Sequence, residues 1–129
     1  MKHLLPEGWQ RPRGYSNGIV AEGKQVFVAG MIGWNEKEEL AAGFSAQFRQ
    51  ALENTVLVLK EGGAGPEHVV RMTWYVKGLD EYRQNVSGIG SAWRDLMGKN
   101  FPTMAVIGIS ELVEKDALIE IETTAVIPD

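Results

Sequence analysis

Cysteine is absent from this 129-residue chain. That excludes disulfides, thiolate nucleophiles and thiolate metal sites, and accords with a reducing compartment. Histidine is nearly absent: only His3 and His68 occur, and their separation lacks the paired spacing of a metal site. No metal and no cofactor is expected. Long apolar runs are missing as well. The N-terminal MKHLLPEGWQ contains none, and nothing approaches the roughly 18 uninterrupted apolar residues that a membrane helix needs. The expectation is a soluble cytoplasmic protein without a membrane partner. Clustered positive charge is lacking too. The formal net charge is −4, and residues such as Lys24, Arg49, Lys60 and Arg71 stand singly, which argues against nucleic acid as the main partner. No G-x-S-x-G elbow exists, and the serines have no histidine to activate them, so a serine hydrolase is not expected.

What remains is an ordinary globular composition, 44% hydrophobic and 23% charged. It carries no repeat, low-complexity tract or linker, so residues 1–129 are expected to form a single domain. A domain of this length buries roughly two-thirds of its unfolded surface, enough to fold without staples. Residues 17–22 and 25–33 are two apolar stretches around Glu22-Gly23-Lys24 and read as a β-hairpin. Residues 43–61 place Phe44, Phe48, Ala51, Leu52, Thr55 and Leu59 at three- and four-residue spacings, an amphipathic helix ended by Gly62-Gly63.

After Pro66, HVVRMTWYV is rich in strand-favouring residues. From Asp80, a suitable N-cap, Tyr82, Val86, Ile89, Trp93 and Met97 recur at helical spacing up to Gly98. Gly88 and Gly90 weaken that helix by up to about 1 kcal/mol each relative to alanine. TMAVIGIS and LIEIETTAVI complete the sheet.

The expected order is β-β-α-β-α-β-β, an α+β fold whose two helices cover one face of a mixed sheet. Along residues 25–33, alternation makes both Val26/Val28/Ile32 and Phe27/Ala29/Met31 apolar. The face away from the helices is then too apolar to stand in water, and an oligomer is expected.

Candidate chemistry narrows to two carboxylates, Glu120 and Glu122, in an otherwise apolar strand, where period two puts both on one face. They either pair with arginines such as Arg71 across strands, or at least one lies in a partly buried cleft as a usable acid or base. Trp34 and Trp74 likewise have two readings. Aromatics beside strands are more often core than ligand platforms, but Trp34, at a strand end, is the better ligand candidate because strand ends line clefts.

Three segments carry a resemblance: GYSNGI followed by VFVAGMIG, then GAGPEHVVRMTWYVKGLDEY, then FPTMAVIGISEL leading to IEIETTAVIP. In this order they resemble the Rid/YjgF family of enamine and imine deaminases, also labelled endoribonuclease L-PSP, over nearly the whole chain. The resemblance implies a chorismate-mutase-like fold assembled as a homotrimer, with small-molecule clefts between subunits. It implies catalysis by Glu120, which matches the first glutamate of the family's V-E-I-E strand. It also implies substrate contacts at Tyr15 and at Gly30, the glycine of the family's S-G-Q segment. Three positions depart from the family: Ala29 replaces the serine of that segment, Met31 replaces its glutamine, and Met104 stands where the P-A-R-S/T motif carries the arginine that binds the substrate carboxylate.

Loss of that arginine removes a charge-assisted pair worth about 1.5–3 kcal/mol, so affinity for small 2-imino acids should fall by about tenfold or more. With Met31, Trp34 and Met104 near the cleft, a larger, flatter, aromatic-derived ligand is expected. The leading reading is a divergent enamine or imine deaminase acting on a catabolic intermediate. The alternative is a trimeric small-molecule binding or regulatory protein without turnover. Ribonuclease activity is disfavoured by the acidic charge and the absence of a histidine pair.

Overall fold

The computed structural model describes residues 1–129. Six strands and three α-helices follow the chain, with one 3-10 turn (Pro66–His68) before the fourth strand: β1 (Lys2–Leu4), β2 (Gly18–Val20), β3 (Lys24–Ile32), α1 (Phe44–Glu61), β4 (Val69–Lys77), α2 (Leu79–Gln84), α3 (Val86–Met97), β5 (Thr103–Ile109) and β6 (Ile119–Ile127). The main sheet has the order β3-β6-β4-β5, with β4 and β5 parallel and the other pairs antiparallel. This is the mixed α+β architecture expected from the sequence.

The helices and the sheet meet through the residues that the periodicity selects. Phe48, Leu52 and Leu59 of α1 are fully buried, as are Met72 and Val76 of β4 and Ile119 and Ile121 of β6. Each such side chain contributes about 1.5–3 kcal/mol by leaving water. On β6 the alternation puts Ile119, Ile121, Thr123 and Ala125 toward the helices, and leaves Glu120 half-buried and Glu122 exposed on the other face.

Three expectations are corrected. The hairpin over 17–33 does not form, because β2 pairs instead with β1, whose His3 lies opposite Ile19. The residues before β2 explain this. Ser16 Oγ donates to the Phe101 carbonyl and Ser16 N–H to Pro102 O at 3.0 Å, while His3 Nδ1 lies 2.8 Å from Ser16 Oγ. The chain is thereby tied to the β5 edge of the sheet, and β3 forms the opposite edge.

The second correction concerns β3, where strict alternation fails. The register slips between Val28 and Met31, so Val28 lies opposite Thr123 and Met31 opposite Ile121. Such a bulge shifts the phase of side chains along a strand. Met31 therefore joins Val26 and Val28 in packing against the core, and the outer face keeps Phe27.

Third, the helix expected from Asp80 to Gly98 is two helices divided at Asn85, with Gly78 and not Asp80 at the first N-terminus. The Asn85 amide donates to Glu81 O at 2.6 Å and accepts from Ser45 Oγ at 2.9 Å. A side chain that bonds nearby backbone in this way competes with the helix ladder. Gly88 lies against the same serine: a Cβ there would stand 2.3 Å from Ser45 Oγ. The glycine permits the close approach of α3 to α1 and is more than a weak point.

Candidate functional site

Two amides on α1 hold the strand ends that carry the candidate carboxylate. Gln47 is buried. Its Nε2 donates to Ala41 O at 3.1 Å and Asp116 O at 3.2 Å, and its Oε1 accepts from the Leu118 N–H at 2.8 Å. The segment entering β6 is thus bound to the helix just before Glu120. Asn54 Nδ2 donates to Ile32 O at 3.2 Å and Trp34 O at 2.7 Å, which holds the end of β3. Gly33 completes the contact, since a Cβ there would meet the Gln47 backbone at 2.4–2.5 Å.

Between these anchored ends, the Glu120 side chain lies across Gly30. A Cβ on Gly30 would stand 2.6 Å from the carboxyl carbon of Glu120. The bare backbone at the bulge makes the space for this carboxylate, a use of glycine common where main chain approaches another group closely. Glu122, two residues on, accepts a hydrogen bond from the Tyr75 hydroxyl at 3.2 Å. Thr73 lies directly opposite Glu122 and Tyr75 opposite Glu120, so this hydrogen bond runs diagonally across the two strands. Arg71 lies opposite Thr124 and forms no ion pair with either glutamate. The negative charge of Glu122 pushes the Tyr75 phenol above its ordinary range, helped by desolvation, the hydrogen bond and the charge of Glu120.

Tyr15 and Met104 form a second group. The anchoring of Ser16 to Phe101 and Pro102 sets Tyr15 beside the start of β5, and Tyr15 and Met104 line two cavities together. The larger, about 630 Å³, lies between β5 and the helices and is walled by Tyr15, Trp74, Tyr82, Trp93 and Phe101. Trp93 stacks on Phe101 with centroids 6.3 Å apart, and Trp74 tilts against Trp93 at 5.9 Å. The smaller contains Arg71, Thr103 and Thr124.

Within one chain the expected site residues fall into separate places. Glu120 and Gly30 meet each other, and Tyr15 shares two cavities with Met104. Met31 packs against the core, and Trp34 is half-buried in a bridge to Leu40 and lines neither shared cavity. The sequence reading missed Trp93, Tyr82 and Phe101 as cavity walls. Helical spacing marked the first two as core, and only the packing of α3 over β5 shows that part of each ring is left uncovered. No three His, Asp or Glu side chains cluster to hold a metal ion, and no helix is long and apolar enough to cross a membrane.

A family model described as Endoribonuclease L-PSP matches residues 9–127. The chain belongs to the Rid/YjgF family. A RutC family protein of Pyrococcus abyssi is 30% identical over 124 residues, covering 95% of this chain and 94% of that one. The 2-iminobutanoate/2-iminopropanoate deaminase of Escherichia coli K12 is 30% identical over 105 residues, covering 81% of this chain and 80% of the enzyme. Among solved structures, the conserved Rid family protein YyfB of Yersinia pestis superposes with a TM-score of 0.84 at 31% identity, over 98% of each chain. Relatives of this Rid chain thus include imine deaminases, and its fold is theirs.

Proposed function

We propose that this Rid protein is a divergent enamine or imine deaminase, and that its site is completed between subunits of a homotrimer. The observation that carries the reading is the retained carboxylate of Glu120, seated on the Gly30 backbone in a half-buried position. An imine hydrolase needs a carboxylate held where it can orient water against a C=N carbon. Water adds across the double bond, the C–N bond of the resulting carbinolamine breaks, and a ketone and ammonia leave. Glu120 takes a proton from the water and returns one to the departing nitrogen.

Support for a shared cleft comes from the separation of the two groups. Glu120 and Gly30 occupy the outer sheet face and its bulge, whereas Tyr15 and Met104 sit at the β5 edge. The outer face also carries Phe27, 71% exposed, and Ile107, 43% exposed. A trimer that covers this face shields both side chains and brings the β5 edge of one subunit toward Glu120 of the next. The deaminase relatives favour an imine as the reacting group, and Met104 in the family's arginine position shifts preference away from alanine-sized acids.

Ammonia release from a panel of imines and enamines, generated in place by an amino-acid oxidase, tests the reading. Turnover by the wild type with loss in Glu120→Gln is the expected result. Equal rates would remove the glutamate from the mechanism. Met104 favours one other reading, a binding protein without turnover. A ligand that raises the melting temperature and is recovered unchanged, from a protein inactive on every imine, would establish that reading instead.

A further inference from the structure

The 630 Å³ cavity beside Met104 has a composition that fits one kind of ligand. Its volume falls within the range of about 300–1,000 Å³ usual for small-molecule sites. Five of its walls are aromatic rings, and Val86, Ile89, Met104 and Val106 fill the gaps between them. Such walls take up a flat apolar body. No carboxylate lines the cavity, but two arginines do, Arg13 from the segment before Tyr15 and Arg94 from α3.

Neither guanidinium is neutralised within the chain. The ion pairs present are Arg49 with Asp95, His68 with Glu67, and Arg83 with Asp80. The position of Arg94 also depends on a local feature: its Nη1 lies 3.3 Å from where a Cβ of Gly90 would be, and Gly90 itself lines the cavity. The helix has a glycine where the guanidinium folds back over it. Gly90 costs α3 helical propensity and returns an unobstructed cation at the cavity wall.

We infer that this cavity binds an aryl-substituted carboxylate, with the ring between the aromatic walls and the carboxylate on Arg94 and Arg13, which take over the anchoring that a side chain at position 104 does not provide. Guanidinium groups suit this task because their donors match a carboxylate in pairs. The ring explains why Met104 and Val106 are apolar, since a cation at position 104 would place its charge against the ring's apolar edge. The inference deepens the deaminase reading by naming an aryl 2-imino acid or its enamine as substrate class. It rests on that reading only for the reaction; binding of ring and carboxylate stands without it.

The test is isothermal titration of the intact protein with phenylpyruvate, with pyruvate, which lacks the ring, and with phenylacetone, which lacks the carboxylate. Phenylpyruvate should bind about tenfold or more tighter than either. The pair Arg13→Gln and Arg94→Gln should weaken phenylpyruvate by about tenfold and leave phenylacetone within about twofold. Both arginines are exposed, so the fold should survive, and Arg94→Gln alone gives a second, milder variant. Val86→Trp, which fills the cavity from its exposed rim, should abolish binding of both aromatic probes.

Pyruvate binding as tightly as phenylpyruvate would overturn the inference, as would indifference of phenylpyruvate to the arginine variants or the absence of binding by either aromatic probe. The two readings fail separately. Ring and charge selectivity without ammonia release from any imine keeps the ligand class and removes the hydrolysis. Ammonia release from 2-iminopropanoate without phenylpyruvate binding keeps the hydrolysis and removes the ligand class.

Discussion

The carboxylate of Glu120 occupies space that exists only because residue 30 has no side chain: a Cβ on Gly30 would lie 2.7 Å from Glu120 Oε2 and 2.9 Å from its Cγ. All the atoms in conflict belong to the flexible end of a glutamate, so Gly30→Ala should move the carboxylate and leave the fold intact. The expected outcome is a melting temperature within a few degrees of wild type and turnover reduced as far as in Glu120→Gln. The double variant should show little further loss, the non-additivity of residues acting as a unit. Full activity in Gly30→Ala would separate the carboxylate's position from catalysis.

Gln47 provides a contrast, because its side chain is buried and ties three loop and strand-end groups to α1. Gln47→Leu keeps a side chain of similar length but removes three hydrogen bonds, those with the half-buried Leu118 N–H and Ala41 carbonyl and with the carbonyl of the exposed Asp116. Leaving buried polar groups unpaired costs about 1–3 kcal/mol. Urea unfolding should show that loss as a lower midpoint with an unchanged slope.

Met104→Arg restores the residue type of the family's carboxylate-binding motif on the wall of a cavity that already holds Tyr15. Hydrolysis of 2-iminopropanoate should rise by about tenfold or more, the worth of one charge-assisted pair. Ammonia release measured with wild type and variant in parallel decides it. No rise in rate would show that more than specificity has changed in this chain.

Tyr75 supplies a pH signature. Its hydroxyl donates to Glu122, and the neighbouring negative charge holds the phenol above its ordinary range. Because the folded-state value is raised, the neutral form is the one the fold favours. The associated stabilisation is present below about pH 10, the usual value of an unfolded tyrosine, and is lost as pH rises through the higher folded value. Ultraviolet difference titration of wild type against Tyr75→Phe should show this one phenol ionising late, and Glu122→Gln should bring it back toward the ordinary range. An unshifted Tyr75 in the wild type would deny the coupling.

Phe27, opposite Thr124 on the outer face, tests the assembly. Phe27→Glu should convert the proposed trimer in sedimentation equilibrium to a monomer and abolish turnover, because the proposed cleft between subunits would be lost with the interface. A variant that sediments as the wild type does would place the subunit contact elsewhere.

The sequence alone determined the elements whose periodicity is local. The spacing of Phe44, Phe48, Leu52 and Leu59 defines α1, and alternation over Ile119, Ile121 and Ala125 defines β6 with Glu120 and Glu122 on its other face. It also carried the family resemblance and the methionine at position 104. Tertiary structure decided what depends on contacts between distant segments. The bond from Ser16 to Phe101 drew β2 out of the expected hairpin, and Asn85, through Ser45 and Glu81, split one helix into two. The bulge between Val28 and Met31 turned Met31 toward the core and, with Gly30, opened the place for Glu120. The aromatic cavity belongs to the same class: Trp74, Trp93 and Phe101 are apolar residues in any reading of the sequence, and only the way α3 lies over β5 leaves a space between them.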